Sequence, residues 1–135
     1  MSKEIREEIL RLHQEFMKWY NGQTLSSKKE FNTKIGEYLE KEWYIVFPDG
    51  SEMDKNTFCK MVYKDHNESK DFAIQIKGIR IKELSTGTFL ARYEEWQFEH
   101  KKIQKKIRTA SILRKEKKSK RIVWVHIHES PIKIT

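Results

Sequence analysis

Apolar side chains recur at helical spacing through the first twenty residues. Ile5, Ile9, Leu12, Phe16 and Tyr20 share a stripe flanked by Leu10, His13 and Met17, while Glu4, Arg6, Glu7, Glu8, Arg11 and Glu15 fill the opposite face. One apolar stripe beside one charged face predicts an amphipathic helix from about Lys3 to Tyr20. Asn21-Gly22 ends it, since both residues tolerate left-handed backbone. A second helical pattern has Ser26 or Ser27 as its cap, Glu30 in the first turn, and Phe31, Ile35 and Leu39 on one face. Trp43 to Phe47 reads as a short apolar strand stopped by the turn Pro48-Asp49-Gly50. Asp54 then serves as N-cap of a third, short helix that carries Phe58, Met61 and Val62 inward.

From Asp71 the period changes to two. Phe72, Ile74 and Ile76 alternate with Ala73, Gln75 and Lys77, and Ile79 and Ile81 follow on the other parity. Gly78 stands where the parity flips, which predicts a bulge or bend there. Ser85-Thr86-Gly87 turns the chain into a strand from Thr88 to about His100. Another strand runs from about Lys105 to Lys115, and the last from Arg121 to Glu129. Helices first and long antiparallel strands afterwards give an α+β domain with its helices on one side of the sheet. At 135 residues, with no internal repeat and no linker, the whole of 1–135 is expected to be a single domain.

Composition narrows this picture. Sixteen aromatic residues (four Trp, five Tyr, seven Phe) supply a core and argue against disorder, although 36% of residues are charged. The single cysteine, Cys59, permits no internal disulfide and reads as a small buried hydrophobe. With no signal-peptide pattern and no long apolar segment, the expectation is a cytoplasmic protein without a membrane partner. The net charge of +8 is concentrated. Eleven of the 28 basic residues lie between Lys101 and Arg121 against one acid, Glu116, leaving 17 basic against 19 acidic elsewhere. That stretch contains no Phe, Tyr or Trp for base stacking, which argues against nucleic acid as a partner.

The order of elements, together with three stretches, resembles the nuclear-transport-factor-2-like superfamily, and in particular a SnoaL-like and ketosteroid-isomerase-like branch without assigned activity. The stretches are Trp19-Tyr20-Asn21-Gly22, Tyr44 to Gly50 with Met53-Asp54-Lys55 behind it, and Trp124-Val125-His126-Ile127-His128-Glu129-Ser130. The resemblance implies a cone-shaped fold in which three N-terminal helices pack on a curved, mainly antiparallel sheet around a pocket, and it implies a homodimer. A physical argument for pairing through the sheet is that Val123, Val125 and Ile127 on one parity, with aromatics on the other, make both faces apolar. Isomerases of this type carry an Asp where Phe47 stands and a helix-1 Tyr where Phe16 stands. Both roles are vacant here, so no catalytic residue is assigned from the resemblance.

Strand parity supplies the candidate site. Arg92 and Trp96 share a parity with Glu94, Phe98 and His100; Arg108 shares one with Ala110, Ile112 and Arg114; Trp124 and His126 share one with Ile122 and His128. If these faces are the concave ones, Arg92, Trp96, Arg108, Trp124 and His126, with Phe16 and Tyr20 of the first helix, line a pocket for an anionic or carboxylate-bearing small molecule. Sliding the register by one residue exchanges the two faces. His126 and His128, with His100 as an additional candidate, offer two converging imidazoles but no further ligand of comparable spacing, so no metal and no cofactor is expected. The leading expectation is a small-molecule-binding or protein-association domain without the familiar isomerase activity. The alternatives are a SnoaL-like isomerase, cyclase or lyase acting on a small hydrophobic carbonyl compound through His126, His13 or Tyr20, and a basic module for nucleic acid or an acidic partner.

Overall fold

The N-terminal stripe forms α1 (Ser2–Asn21) in the computed structural model, which describes residues 2–134. Ile5, Ile9 and Leu12 are fully buried, each contributing roughly 1.5–3 kcal/mol of apolar burial. The helix stops at Gly22, whose φ of +74° suits glycine, and a Cβ there would also run into the side chain of Asn67. Ser27 caps α2 (Lys28–Lys34) by accepting from the Glu30 amide at 3.1 Å. A 3-10 turn, Gly36–Tyr38, leads into β1 (Leu39–Val46), which starts four residues before the apolar run that announces it. Beyond Pro48-Asp49-Gly50 the chain returns as β2 (Glu52–Asp54). Asp54 then caps α3 (Lys55–Lys64) by accepting from Thr57 N at 2.8 Å.

Four long strands follow: β3 (Ala73–Ser85), β4 (Thr88–Glu99), β5 (Lys102–Lys115) and β6 (Ile122–Pro131). The six strands form one sheet in the order β2-β1-β6-β5-β4-β3, antiparallel except for the parallel pair β1 and β6. This is the α+β architecture of three helices and a mainly antiparallel sheet that the order of elements predicts. The parity flip near Gly78 is a register shift between Lys77 and Arg80, with Gly78 at φ +64°. A second bulge has no glycine to mark it. Ile112 pairs with His126 but Leu113 pairs with Trp124, so Val125 has no partner on β5.

These bulges decide which side chains face the helices. Phe89, Ala91, Tyr93 and Glu95 of β4 are buried, as are Ile107, Thr109, Ser111 and Leu113 of β5; the intervening Arg92, Arg108 and Arg114 are exposed. On β6 the bulge lets Trp124 and Ile127, three residues apart, both join the core. Val123 and Ile127 are therefore out of phase, and the continuous apolar outer face expected from their spacing is not present. The outer face carries charge instead.

Candidate functional site

A cavity of about 940 Å³ lies between the helices and the sheet. α1 presents His13, Phe16 and Tyr20 to it, α3 presents Phe58 and Met61, and the sheet closes it with Glu95 and Gln97 of β4 and Ile127 and Glu129 of β6. His13 and Glu95, both less than 7% exposed, meet at 3.1 Å between the imidazole Nε2 and a carboxylate oxygen. The other ring nitrogen, Nδ1, lies 2.8 Å from the Ile9 carbonyl one turn back. A carbonyl only accepts, so Nδ1 carries a proton; a carboxylate also only accepts, so Nε2 carries one too. The geometry makes this an imidazolium–carboxylate pair. The second oxygen of Glu95 accepts from Gln97 Nε2 at 2.7 Å.

Burial alone lowers the His13 pKa, but the charge and hydrogen bond of Glu95, helped by the Ile9 carbonyl, outweigh it and leave it raised. Glu95 is the mirror case: burial raises its pKa, the His13 charge and hydrogen bond and then Gln97 pull it down, and the net direction is down. Glu129 has no such partner. Burial and the negative charge of Glu95 push it up to about 8, against the weaker pull of His13 and Lys105. That direction favours the neutral carboxylic acid at pH 7, a form able to donate a hydrogen bond. Tyr20, raised to about 12 by burial and then by Asp65 and Glu95, keeps its hydroxyl proton.

Of the residues singled out by parity, Phe16 and Tyr20 line the cavity and the other five do not. Arg92, Trp96, Arg108 and His126 lie on the outer face of the sheet, one residue out of step with Tyr93, Glu95, Thr109 and Ile127, which face the helices. Trp96 sits between the ammonium groups of Lys77 and Lys106, at 3.8 and 4.2 Å from its ring centroid. His126 stacks on Tyr44 with centroids 4.1 Å apart, and its Nδ1 meets the Tyr44 carbonyl at 2.9 Å. Trp124 does point inward but is wholly buried, donating from Nε1 to Glu8 at 2.8 Å, while Arg11 grips the same carboxylate through two nitrogens. Trp124 and His126, two residues apart, end on opposite faces because Val125 bulges between them.

Parity reasoning passed over Glu95, Gln97 and Glu129. A signal existed: Arg108 and Arg114 mark their own parity on β5 as solvent-facing, and cross-strand pairing carries that assignment to Arg92 on β4. Among the described residues no three His, Cys, Asp or Glu side chains are arranged to hold a metal ion, and no helix is long and apolar enough to cross a membrane.

Residues 5–133 match the family described as sucrose-6-phosphate phosphohydrolase C-terminal. No curated protein matches the sequence significantly. Among solved structures, an NTF-2-like protein of unknown function from Pseudomonas aeruginosa superposes with a TM-score of 0.85 at 17% identity, over 96% of this chain and 98% of its own. The yeast UBP3-associated protein BRE5 gives 0.74 at 7% identity, over 97% and 95%. An NTF2-like protein of unknown function from Pseudomonas putida gives 0.70 at 12%, over 98% and 87%. At these identities the likeness is one of fold.

Proposed function

The chain belongs to the sucrose-6-phosphate phosphohydrolase C-terminal family, and we propose that it uses the cavity to bind a small, uncharged, largely apolar molecule bearing a carbonyl or hydroxyl oxygen. The observation that carries this reading is that Glu129, whose pKa burial pushes up to about 8, and Glu95 both line a cavity whose wall includes Phe16, Phe58, Met61 and Ile127. An apolar wall with a few convergent polar groups is the usual make-up of a ligand site. A protonated acid there donates to a ligand oxygen, as a carboxylate cannot.

Charge separates this ligand from the alternatives. Six carboxyl groups line the cavity (Asp49, Asp65, Glu68, Glu95, Glu99 and Glu129) against Lys105, Lys106 and His13. The Lys106 ammonium lies over Trp96, and His13 is spent on Glu95. A phosphorylated sugar, the substrate in the family's name, would meet net negative charge, and so would the carboxylate ligand expected when Arg92 and Arg108 are placed inside. The test is ligand-observed NMR with matched aromatic ketones and carboxylates. Ketones should bind, weaken as pH rises through about 8, survive Glu129→Gln and fail in Glu129→Ala. Preferential binding of the carboxylates, or binding indifferent to position 129, overturns the reading.

A second reading is favoured by one observation, the buried His13–Glu95 pair at the cavity wall. A carboxylate of fixed orientation beside a protonated acid is the equipment for moving a proton next to a carbonyl. Glu95 would take the proton from carbon and Glu129 would donate to the developing enolate oxygen. Exchange of a bound ketone's α-protons for deuterium in D2O, abolished by Glu95→Gln with binding retained, supports catalysis; binding without exchange in the wild type leaves a binding domain.

A further inference from the structure

The face of the sheet turned away from the helices collects cations that the sequence scatters. Cross-strand partners share a face, so the pairing places Lys77, Arg80 and Lys82 of β3, Arg92 of β4, and Lys106 and Arg108 of β5 together on the outer side. All but Lys106 are exposed. The face of these three strands between Lys77 and Lys82 holds one acid, Glu94, and its carboxylate accepts from Trp96 Nε1 at 2.9 Å. None of the six cations lies within 4 Å of a described carboxylate. Arg80 and Arg92 stand directly opposite each other as a like-charge pair, an arrangement that weakens a sheet.

We infer that this face binds the sugar–phosphate backbone of single-stranded nucleic acid. Three features favour that partner over an acidic protein or a second copy. The first is length. β5 runs 14 residues, or about 45 Å. Lys101 and Lys102 stand at one of its ends, with Lys117, Lys118 and Lys120 just past the other. A strip this long in which cations predominate matches a linear polyanion.

The second is the mixture of groups. The basic segment itself has no aromatic residue, but the fold brings Trp96 and Phe98 from β4 onto the same face, with the Tyr44–His126 stack of β1 and β6 farther along it, level with Leu90 and Ile112. Cations tracking a backbone with aromatic faces between them form the usual single-strand platform. Three of the six cations are arginines, whose forks fit phosphate oxygens two at a time.

The third is symmetry. A two-fold contact through this face would press two surfaces of the same net charge together, which like-charge repulsion opposes.

The experiment is fluorescence anisotropy of the full chain with labelled oligo-dT and oligo-U across a salt series. Both should bind alike, because backbone and base faces are read, with affinity falling steeply as salt rises. The double variant Arg92→Gln/Arg108→Gln should lower affinity about tenfold or more and reduce the salt slope by about two. Arg80→Gln should weaken binding while raising the thermal midpoint, since it removes the like-charge pair; that opposed response keeps the test decisive even if the double variant folds poorly. Binding unchanged in these variants overturns the inference. So does equal affinity for polyglutamate, preference for phosphatidylserine vesicles, or a wild-type dimer that these variants dissociate.

Discussion

Alternate residues of β4 live in different worlds. Tyr93 and Glu95 are closed off beneath α1, one bonded to Ser111 at 3.2 Å and the other locked to His13. Arg92 between them is exposed and faces another arginine. On the inner face the fully buried charges are paired, as His13 and Glu95 are, and burial favours the neutral form of Glu129. On the outer face six cations stand without a carboxylate. Burial explains the contrast: an unpaired charge is expensive where water is excluded and nearly free where it is not. Partners are therefore compulsory inside, and their absence outside leaves charge available for something else.

The strongest way to break this contrast is to shift the register. Inserting one alanine between Ala110 and Ser111 of β5 should put Ser111 and Leu113 out of phase with Ile107 and Thr109, so that one of the two pairs must leave the core. Loss of cooperative unfolding and of near-ultraviolet circular dichroism is the expected result; a native-like spectrum would show that the sheet absorbs the extra residue as a further bulge. Next in size is Glu95→Ala. It strands the His13 imidazolium and should cost about 3 kcal/mol in urea unfolding at pH 6.

The pH response sharpens the comparison further. The folded-state pKa of Glu129, about 8, stands above its ordinary 4.5, so the folded protein holds a proton that the unfolded chain releases. Stability should therefore fall as pH rises from about 4.5 to about 8, by roughly a few kcal/mol in all. Glu129→Gln should flatten that slope, leaving wild type and variant alike below pH 4. A slope unchanged in the variant would place the titration elsewhere. The smallest effect belongs to the outer face: Arg80→Gln should stabilise by about 0.2–1 kcal/mol at low salt and by less as salt rises, read by thermal melting.

The helices were legible because each carries its own local instruction. The α1 stripe, the Ser27 and Asp54 caps and the Pro48-Asp49-Gly50 turn all act within a few residues of where they are written. The order of the long strands and the flip at Gly78 were legible for the same reason. β2 was not, because a three-residue strand has too short a pattern and exists through its pairing with β1. The inner face was misassigned because parity is a relative property, fixed by what lies across the sheet. Val125 bulges with no glycine to announce it, so reading Trp124 and His126 as companions carries a tryptophan anchor and a surface imidazole into one set. Glu95 and Glu129 escaped for a related reason: they come from strands separated by β5, and neither is conspicuous until the sheet brings both to one cavity.

The hydrogen bond from Trp124 to Glu8 joins the last strand to the first helix across 116 residues of sequence. During synthesis α1 precedes every strand of the sheet, and Trp124, the partner of Glu8, follows 116 residues later. At about 5–20 residues per second that wait lasts roughly 6–20 s. Through that interval the nascent chain displays an oily helix with a buried-to-be carboxylate at its centre. The carboxylate that anchors the last strand to this helix is, until that strand is made, a charge left to water.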